Sequence, residues 1–333
     1  MRPRRNAFDP WTRSFRDHRD GRKRITENAA VVVGVDGSEG SRAALRWSAL
    51  EAHRRQLPLR IVAAGGLDAV MPTTASESFW RHLSAYQASW ANDVVNDAAD
   101  LARQTAPVEP QTAVYLKETA VMALQGESES AGLLVVGSRG LGGAIASRLG
   151  STAIVLAQQA SCPVVVVPSA FGGPVGVETG RDVVVGVDGS QTSQRAVEFA
   201  FAEAALRKTG VKAVHAWTLP WLRSTLSIRH EVVNVTRPAL QQEAAAVLSE
   251  SLAEIRQKHP AVPVVEQAVE ERPAVALVEA SHDAPLLVVG SRGRGGVTGL
   301  LLGSVSHAVL HRAHCPVAVI RHPHQEVSTG SLD

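Results

Sequence analysis

Leu133–Thr152 reads LLVVGSRGLGGAIASRLGST, and Leu286–Ser306 reads LLVVGSRGRGGVTGLLLGSVS. Each stretch sets out a short apolar run, a glycine, two residues, a second glycine, nine residues and then Gly-Ser. The apolar run suits a buried strand, and the residues from Gly-Ser onward suit a helix. A strand, a glycine turn and a helix start together form a cradle for phosphate. Backbone N–H groups at turns and helix N-termini are unpaired, carry partial positive charge and favour an anion. Glycine lets the chain come close to a ligand. The plain alternative is a tight strand-to-helix turn without a ligand, and a gapless second copy favours the nucleotide-holding reading.

The rest of the chain falls into order around these loops. Ala30–Val35 (AVVVGV) is a β-branched run ending at Asp-Gly-Ser and reads as a strand. Ser38 to Ser41 offer helix caps, after which Ala43, Ala44, Trp47 and Leu50 recur at helical spacing. Leu59–Ala64 is a second strand, Gly65 to Ser78 a loop, and Leu83 to Ala106 a long amphipathic helix. Thr112–Tyr115, a helix over Glu118–Ser130, Leu133–Val136, a helix from Ser151 to Gln159, and Pro163–Val167 complete a unit. The plan then restarts. VVVGVDGS at Val31–Ser38 returns at Val183–Ser190, 152 residues on, and VKAVHAW at Val211–Trp217 matches the second strand at the same offset. The glycine loop and Cys-Pro-Val recur at an offset of 153, which marks a duplication. Alternating strands and helices give a parallel sheet covered on both faces. The expected fold is therefore two tandem doubly wound, Rossmann-like, five-stranded parallel-sheet domains at 29–168 and 182–322. A Gly/Pro-rich linker at 169–181 joins them, and tails lie at 1–28 and 323–333.

Composition narrows the class. A chain of 333 residues with 45% hydrophobic and 20% charged residues suits about two globular domains. No apolar run reaches the roughly 18 residues of a membrane span. Residues 1–28 hold nine Lys/Arg against four Asp/Glu, so a net charge of +2 leaves −3 for the remainder. That basic start lacks the apolar centre of a signal peptide and reads as a flexible tail, and nucleic acid is not the expected partner. Cys162 and Cys315 stand in matching contexts, SCPVVVV and HCPVAVI, as small apolar residues at strand starts. The cysteine usage suits a reducing cytoplasm.

VVVGVDGS, an Ala-rich helix, VVGSRG, nine residues, Gly-Ser and a closing Cys-Pro-Val strand together resemble the universal stress protein family. Two copies resemble its tandem form, over about residues 29–322. The resemblance implies ATP as the ligand, one per domain, with Mg²⁺ as a possible companion. Its G-2x-G-9x-G-(S/T) pattern falls on Gly137, Gly140, Gly150 and Ser151, and on Gly290, Gly293, Gly303 and Ser304. Ser138, Arg139 and Thr152 accompany the first loop, and Ser291, Arg292, Val305 and Ser306 the second. The resemblance also implies that Gly34, Asp36 and Ala64 border adenine and ribose, with Gly186, Asp188 and Ala216 as their counterparts. One departure stands out: the second unit carries the family's usual His-Ala at His215–Ala216, where the first reads Ala63–Ala64.

Each feature has a plainer reading beside the functional one. Asp36 and Asp188 are either ligand-facing carboxylates or turn residues capping a helix. Ser151, Thr152, Ser304 and Ser306 offer hydroxyls to phosphate or serve as caps. Arg139 and Arg292 neutralise phosphate or lie on a solvated face. His307, His311 and His314 have the spacing of a metal face but no counterparts in the first unit, and read as solvated. The apolar strands Pro163–Val167 and Pro316–Ile320 require cover. The family's dimer mode implies that they meet, joining the units as an intrachain pseudo-dimer, with a further homodimer open. No Ser/His/Asp set, functional carboxylate pair or P-loop lysine is present. The expected protein is a cytoplasmic ATP-binding regulator whose nucleotide-dependent state is read by an unidentified protein partner. A slow ATPase and a nucleotide-free interaction protein are the alternatives.

Overall fold

Short β-branched runs bounded by glycine and proline become strands, and the alanine-rich runs between them become helices. A computed structural model describes residues 29–65, 77–141, 149–171, 181–219, 230–294 and 302–321. The basic start at 1–28, the C-terminal tail and most of the expected linker and Gly65–Ser78 loop lie outside the described residues. The first half runs β1 (Val31–Gly34), α1 (Glu39–Arg55), β2 (Leu59–Ala64), α2 (Glu77–Thr105) and β3 (Gln111–Tyr115). It continues with α3 (Ala120–Ser128), β4 (Leu133–Gly137), α4 (Ser151–Gln159) and β5 (Val164–Val167). The second half runs β6 (Val183–Gly186), α5 (Gln191–Arg207), β7 (Val211–Trp217), α6 (His230–Lys258) and β8 (Val264–Glu270). Then come α7 (Pro273–Ala280), β9 (Leu287–Gly290), α8 (Ser304–Arg312) and β10 (Val317–Ile320). A 3₁₀ turn at Ser281–Asp283 follows α7 and had no signal in the sequence pattern.

The two expected five-stranded sheets run together as one ten-stranded sheet, ordered β3-β2-β1-β4-β5-β10-β9-β6-β7-β8. Pairing is parallel within each half, and β5 meets β10 antiparallel, with Val166 opposite Val317 and Val164 opposite Val319. The strands of the two halves therefore point in opposite directions. Alternation along each strand divides the core. Val31, Val33, Leu133 and Val135 pack on the side of α1 and α2, whereas Val32, Leu134 and Val136 pack on the side of α3 and α4. Cys162 sits buried at the start of β5, and burial pushes its thiol up to about 12, with backbone hydrogen bonds offsetting only part of the shift.

α1 and α5 meet on one face across the β5–β10 seam, and there the chain buries four charges. Glu51 and Arg55 of α1 and Glu203 and Arg207 of α5 form a closed square, each side chain no more than 3% exposed. Arg55 Nε lies 2.7 Å from Glu51 Oε1, and Arg207 Nη2 lies 2.8 Å from Glu51 Oε2. Arg55 and Arg207 both also donate to Glu203. The residues are two copies of one i,i+4 pair, since 203 and 207 are the duplicates of 51 and 55. Arg54 breaks the symmetry: it adds a third guanidinium at 2.6 Å from Glu51, and its counterpart is Leu206. Burial alone would raise the Glu51 carboxyl, but Arg207, Arg55 and Arg54 hold it well below the usual range. At Glu203 burial prevails and, with Glu51 nearby, raises the carboxyl despite Arg55 and Arg207.

Removing one partner of a buried pair strands the others, at a cost of about 3–5 kcal/mol. Glu51→Ala is expected to lower unfolding stability by about that amount in urea denaturation. Glu203→Ala is expected to cost less, because burial already disfavours its charged form, whereas Glu51 also serves Arg54. In native protein Cys162 is expected to resist iodoacetamide at pH 8 and to react only after unfolding, as peptide mapping will show.

Candidate functional site

In each half the strand order reverses between the first and fourth strands, so the helices that follow them leave on opposite faces. A crevice opens there beyond the carboxyl ends, the usual ligand position in an open α/β sheet. The first crevice, about 320 Å³, lies between β1, β4, α3 and α4. The second, about 440 Å³, lies between β6, β9, α7 and α8. Their linings correspond residue for residue. One wall is apolar: Gly34, Val35, Val62, Ala64, Leu124 and Val136 in the first half, and Gly186, Val187, Val214, Ala216, Leu277 and Val289 in the second. The other wall is the glycine loop and the helix start. It comprises Gly137, Arg139, Gly140, Gly150, Ser151 and Thr152, matched by Gly290, Arg292, Gly293, Gly303, Ser304 and Val305.

The loop is built from the sheet outward. Ser138 N–H donates to Val167 O at 2.7 Å, continuing the pairing of β4 with β5, and Ser291 N–H does the same to Ile320 O at 2.7 Å. The loop is closed by Gly150 N–H on Ser138 O and by Gly303 N–H on Ser291 O, each at 2.7 Å. α4 and α8 begin at glycine caps with no side-chain cap bond. By contrast, Ser38 and Ser190 cap α1 and α5 by accepting from the N–H of Ser41 and Ser193. The first turns of α4 and α8 thus present N–H groups to the crevice without a competing side-chain oxygen. Among the described residues the Ser151 and Ser304 hydroxyls also make no hydrogen bond.

Asp36 and Asp188 join both walls. Asp36 Oδ1 accepts from Ser38 N–H at 3.0 Å and Oδ2 from Leu141 N–H at 2.8 Å. Asp188 accepts from the N–H of Ser190 and Arg294, each at 3.0 Å. The turn reading and a clamping role are therefore both realised, and each carboxylate ties a strand end to the loop of the neighbouring strand. Two glycines permit the arrangement. Gly37 and Gly189 take φ of 81° and 74°, the left-handed region, inside the Asp turn. A Cβ on Gly140 or Gly293 would collide with the Asp36 or Asp188 carboxylate.

One expectation needs correction. Ser138 and Ser291 are buried and do not line the crevices; Ser138 Oγ instead accepts from Ser169 N–H at 3.1 Å. Ser306 does line the second crevice, and its hydroxyl donates to Gly303 O and Ser291 O at 3.0 Å each, bracing the loop. The histidines read as solvated lie at or near the surface: His307 and His311 pair on the last helix, and His314 beyond it stacks on His282 at 3.6 Å. The apolar wall also contains Leu124 and Leu277, which the sequence reading did not single out. Leu124 and Leu277 had one usable signal, their recurrence at the offset of 153.

Gly140→Ala and Gly293→Ala are expected to break the Asp clamp while sparing the core. Hydrogen exchange should show faster exchange of Leu141 or Arg294 N–H with little change in the strand amides.

The model of the universal stress protein family matches residues 28–168 and again 180–321. Universal stress protein Rv2005c of Mycobacterium tuberculosis is 39% identical over 295 residues, covering 87% of this chain and 96% of the relative. Universal stress protein Rv2623 of the same organism is 34% identical over 303 residues, with the same coverages. A universal stress protein from Archaeoglobus fulgidus shares the fold, with a TM-score of 0.62 at 18% identity, over 89% of this chain and 99% of that one. Two matched segments spanning most of the sequence, and two pockets built alike, lead to one assignment: the chain belongs to the universal stress protein family and carries its domain twice.

Proposed function

We propose that each crevice holds one adenine nucleotide, ATP in the first instance, and that the bound state is the protein's output. The carrying observation is the division of each crevice into an apolar wall and a wall made of the glycine loop and a helix start without a side-chain cap. A flat, weakly polar base suits the first, and an anionic phosphate chain suits the second. Gly34, Ala64, Gly186 and Ala216 border the base. Gly137, Gly140, Gly150 and Ser151, with Gly290, Gly293, Gly303 and Ser304, face the phosphates. Arg139 and Arg292, both exposed at the loop, balance charge and tune affinity. Among the described residues no group of three or more His, Cys, Asp or Glu is placed to hold a metal ion, so any Mg²⁺ would be held chiefly by the phosphates of ATP.

A sensor fits better than an ATPase. Asp36 and Asp188 serve as clamps to backbone N–H groups, and among the described residues no histidine, lysine or second carboxylate lines either crevice to activate water. The interaction-protein alternative loses its main argument, because β5 and β10 cover one another. Nucleotide occupancy then acts by shifting the population between conformations that a protein partner distinguishes. Among the described residues no helix is long and apolar enough to cross a membrane.

Mass spectrometry of the material released on denaturing purified protein is expected to show two adenine nucleotides per chain. Protein stripped of ligand should gain about 2.7 kcal/mol of stability at a hundredfold excess of ATP over Kd. No released nucleotide and no thermal shift at millimolar ATP would defeat the proposal.

A further inference from the structure

Position-by-position comparison shows where duplication has not kept the two crevices alike. After the second loop glycine the first half has Leu141, 65% exposed, and the second has Arg294. Arg294 lines its crevice, with its guanidinium lying against Gly189 at the turn that starts α5. The second crevice has further positive charge behind it. Arg321, just past β10, is half-buried, donates to Ala160 O at 2.7 Å, and takes the place of Pro168. Burial, and then the charge of Arg292, depress its tendency to hold a proton, so an anion placed near Arg292 relieves a like-charge repulsion. Both crevices keep one clamping carboxylate, Asp36 or Asp188. Among the described residues Arg292 and Arg294 line the second crevice where Arg139 alone lines the first, and Arg321 stands outside the lining, near enough to Arg292 to repel it. The second crevice is also the larger, about 440 against 320 Å³.

Resting on the nucleotide reading above, we infer that the two sites are not interchangeable. The second half, through Arg294, selects the highly charged polyphosphate, and the first half distinguishes little between ATP and AMP. The physical reason is that each added phosphate brings negative charge that a guanidinium meets with charge-assisted hydrogen bonds, whereas the apolar walls are lined by the same residue types, Gly34, Val35, Val62 and Ala64 against Gly186, Val187, Val214 and Ala216. The chain then reads two quantities: total adenine nucleotide in the first half, and its phosphorylated fraction in the second. The first loop also has Arg148 where the second has Leu301, both outside the described residues. The test must therefore include that arginine.

Hydrogen exchange with peptide-level mass spectrometry on the full chain resolves the sites, because each loop reports its own occupancy. Titrating ATP and AMP, the peptide over 290–294 is expected to become protected at about tenfold lower ATP than the peptide over 137–141, a difference of about 1.4 kcal/mol. AMP should protect both at similar concentrations. In Arg294→Leu the ATP-to-AMP ratio at the second loop should fall to that of the first, and Arg294→Lys should restore part of it. A merely structural lesion would move both nucleotides together and leave the ratio intact, which overturns the inference. Coincident ATP curves in the native chain, separated only by Arg148→Leu, overturn it as well. Absence of protection by either nucleotide at either loop defeats the nucleotide reading itself, a result distinct from coincident curves.

Discussion

Four-residue apolar strands cannot be left at the margin of a sheet. β5 reads VVVV and β10 VAVI, with every residue buried, and each has one parallel neighbour in its own half. Exposed, they would offer unpaired N–H and C=O groups on an apolar strip, which is a template for aggregation. Their antiparallel union removes both margins together, and much else follows from it. It turns one half end for end, so the carboxyl ends of the two sets of strands lie along opposite rims of the sheet. The crevices consequently open away from one another. It also lays α1 beside α5 and forces their facing surfaces into a shared interior.

That interior is charged where a hydrophobic contact would have been simpler. A buried ion cluster is a weak source of net stability, since desolvation offsets most of the attraction. What it does supply is a demand for register, because Glu51 and Glu203 must each find guanidinium groups from both helices. The seam also reaches the sites. Val167 and Ile320 end the seam strands, and their carbonyls hold the first peptide of each glycine loop. The loops, the clamping carboxylates and the seam thus form one continuous hydrogen-bonded structure.

Much of this was legible in the chain. Strand positions such as Val31 to Gly34 follow from β-branched runs and turn residues, which act locally, and the two matched offsets exposed the repeat. The glycines of the loops were legible because close approach restricts the residue type. Features settled by tertiary contact were not. Leu124 is an ordinary helical leucine until the fold sets it beside Gly34. Ser138 and Thr152 look equally polar, and only the pairing with β5 turns one inward and leaves the other at the crevice. The second carboxylate oxygen of Asp36 finds its partner 105 residues away, beyond any local pattern. Glu51 and Arg55 would pass for a solvated i,i+4 pair, and only the second copy of the same helix buries them.

The seam also has a history in time. β10 is the last strand among the described residues, so during synthesis β5 waits for about 150 residues before its partner exists, roughly 8–30 s at ordinary elongation rates. Through that interval the first half must fold with a sticky margin bare. A nascent first half meeting another on a neighbouring ribosome would find a ready substitute for β10, in the same antiparallel sense. Fusing the two domains in one polypeptide therefore secures their pairing by local concentration, and leaves the quality of the product dependent on how that waiting edge is shielded.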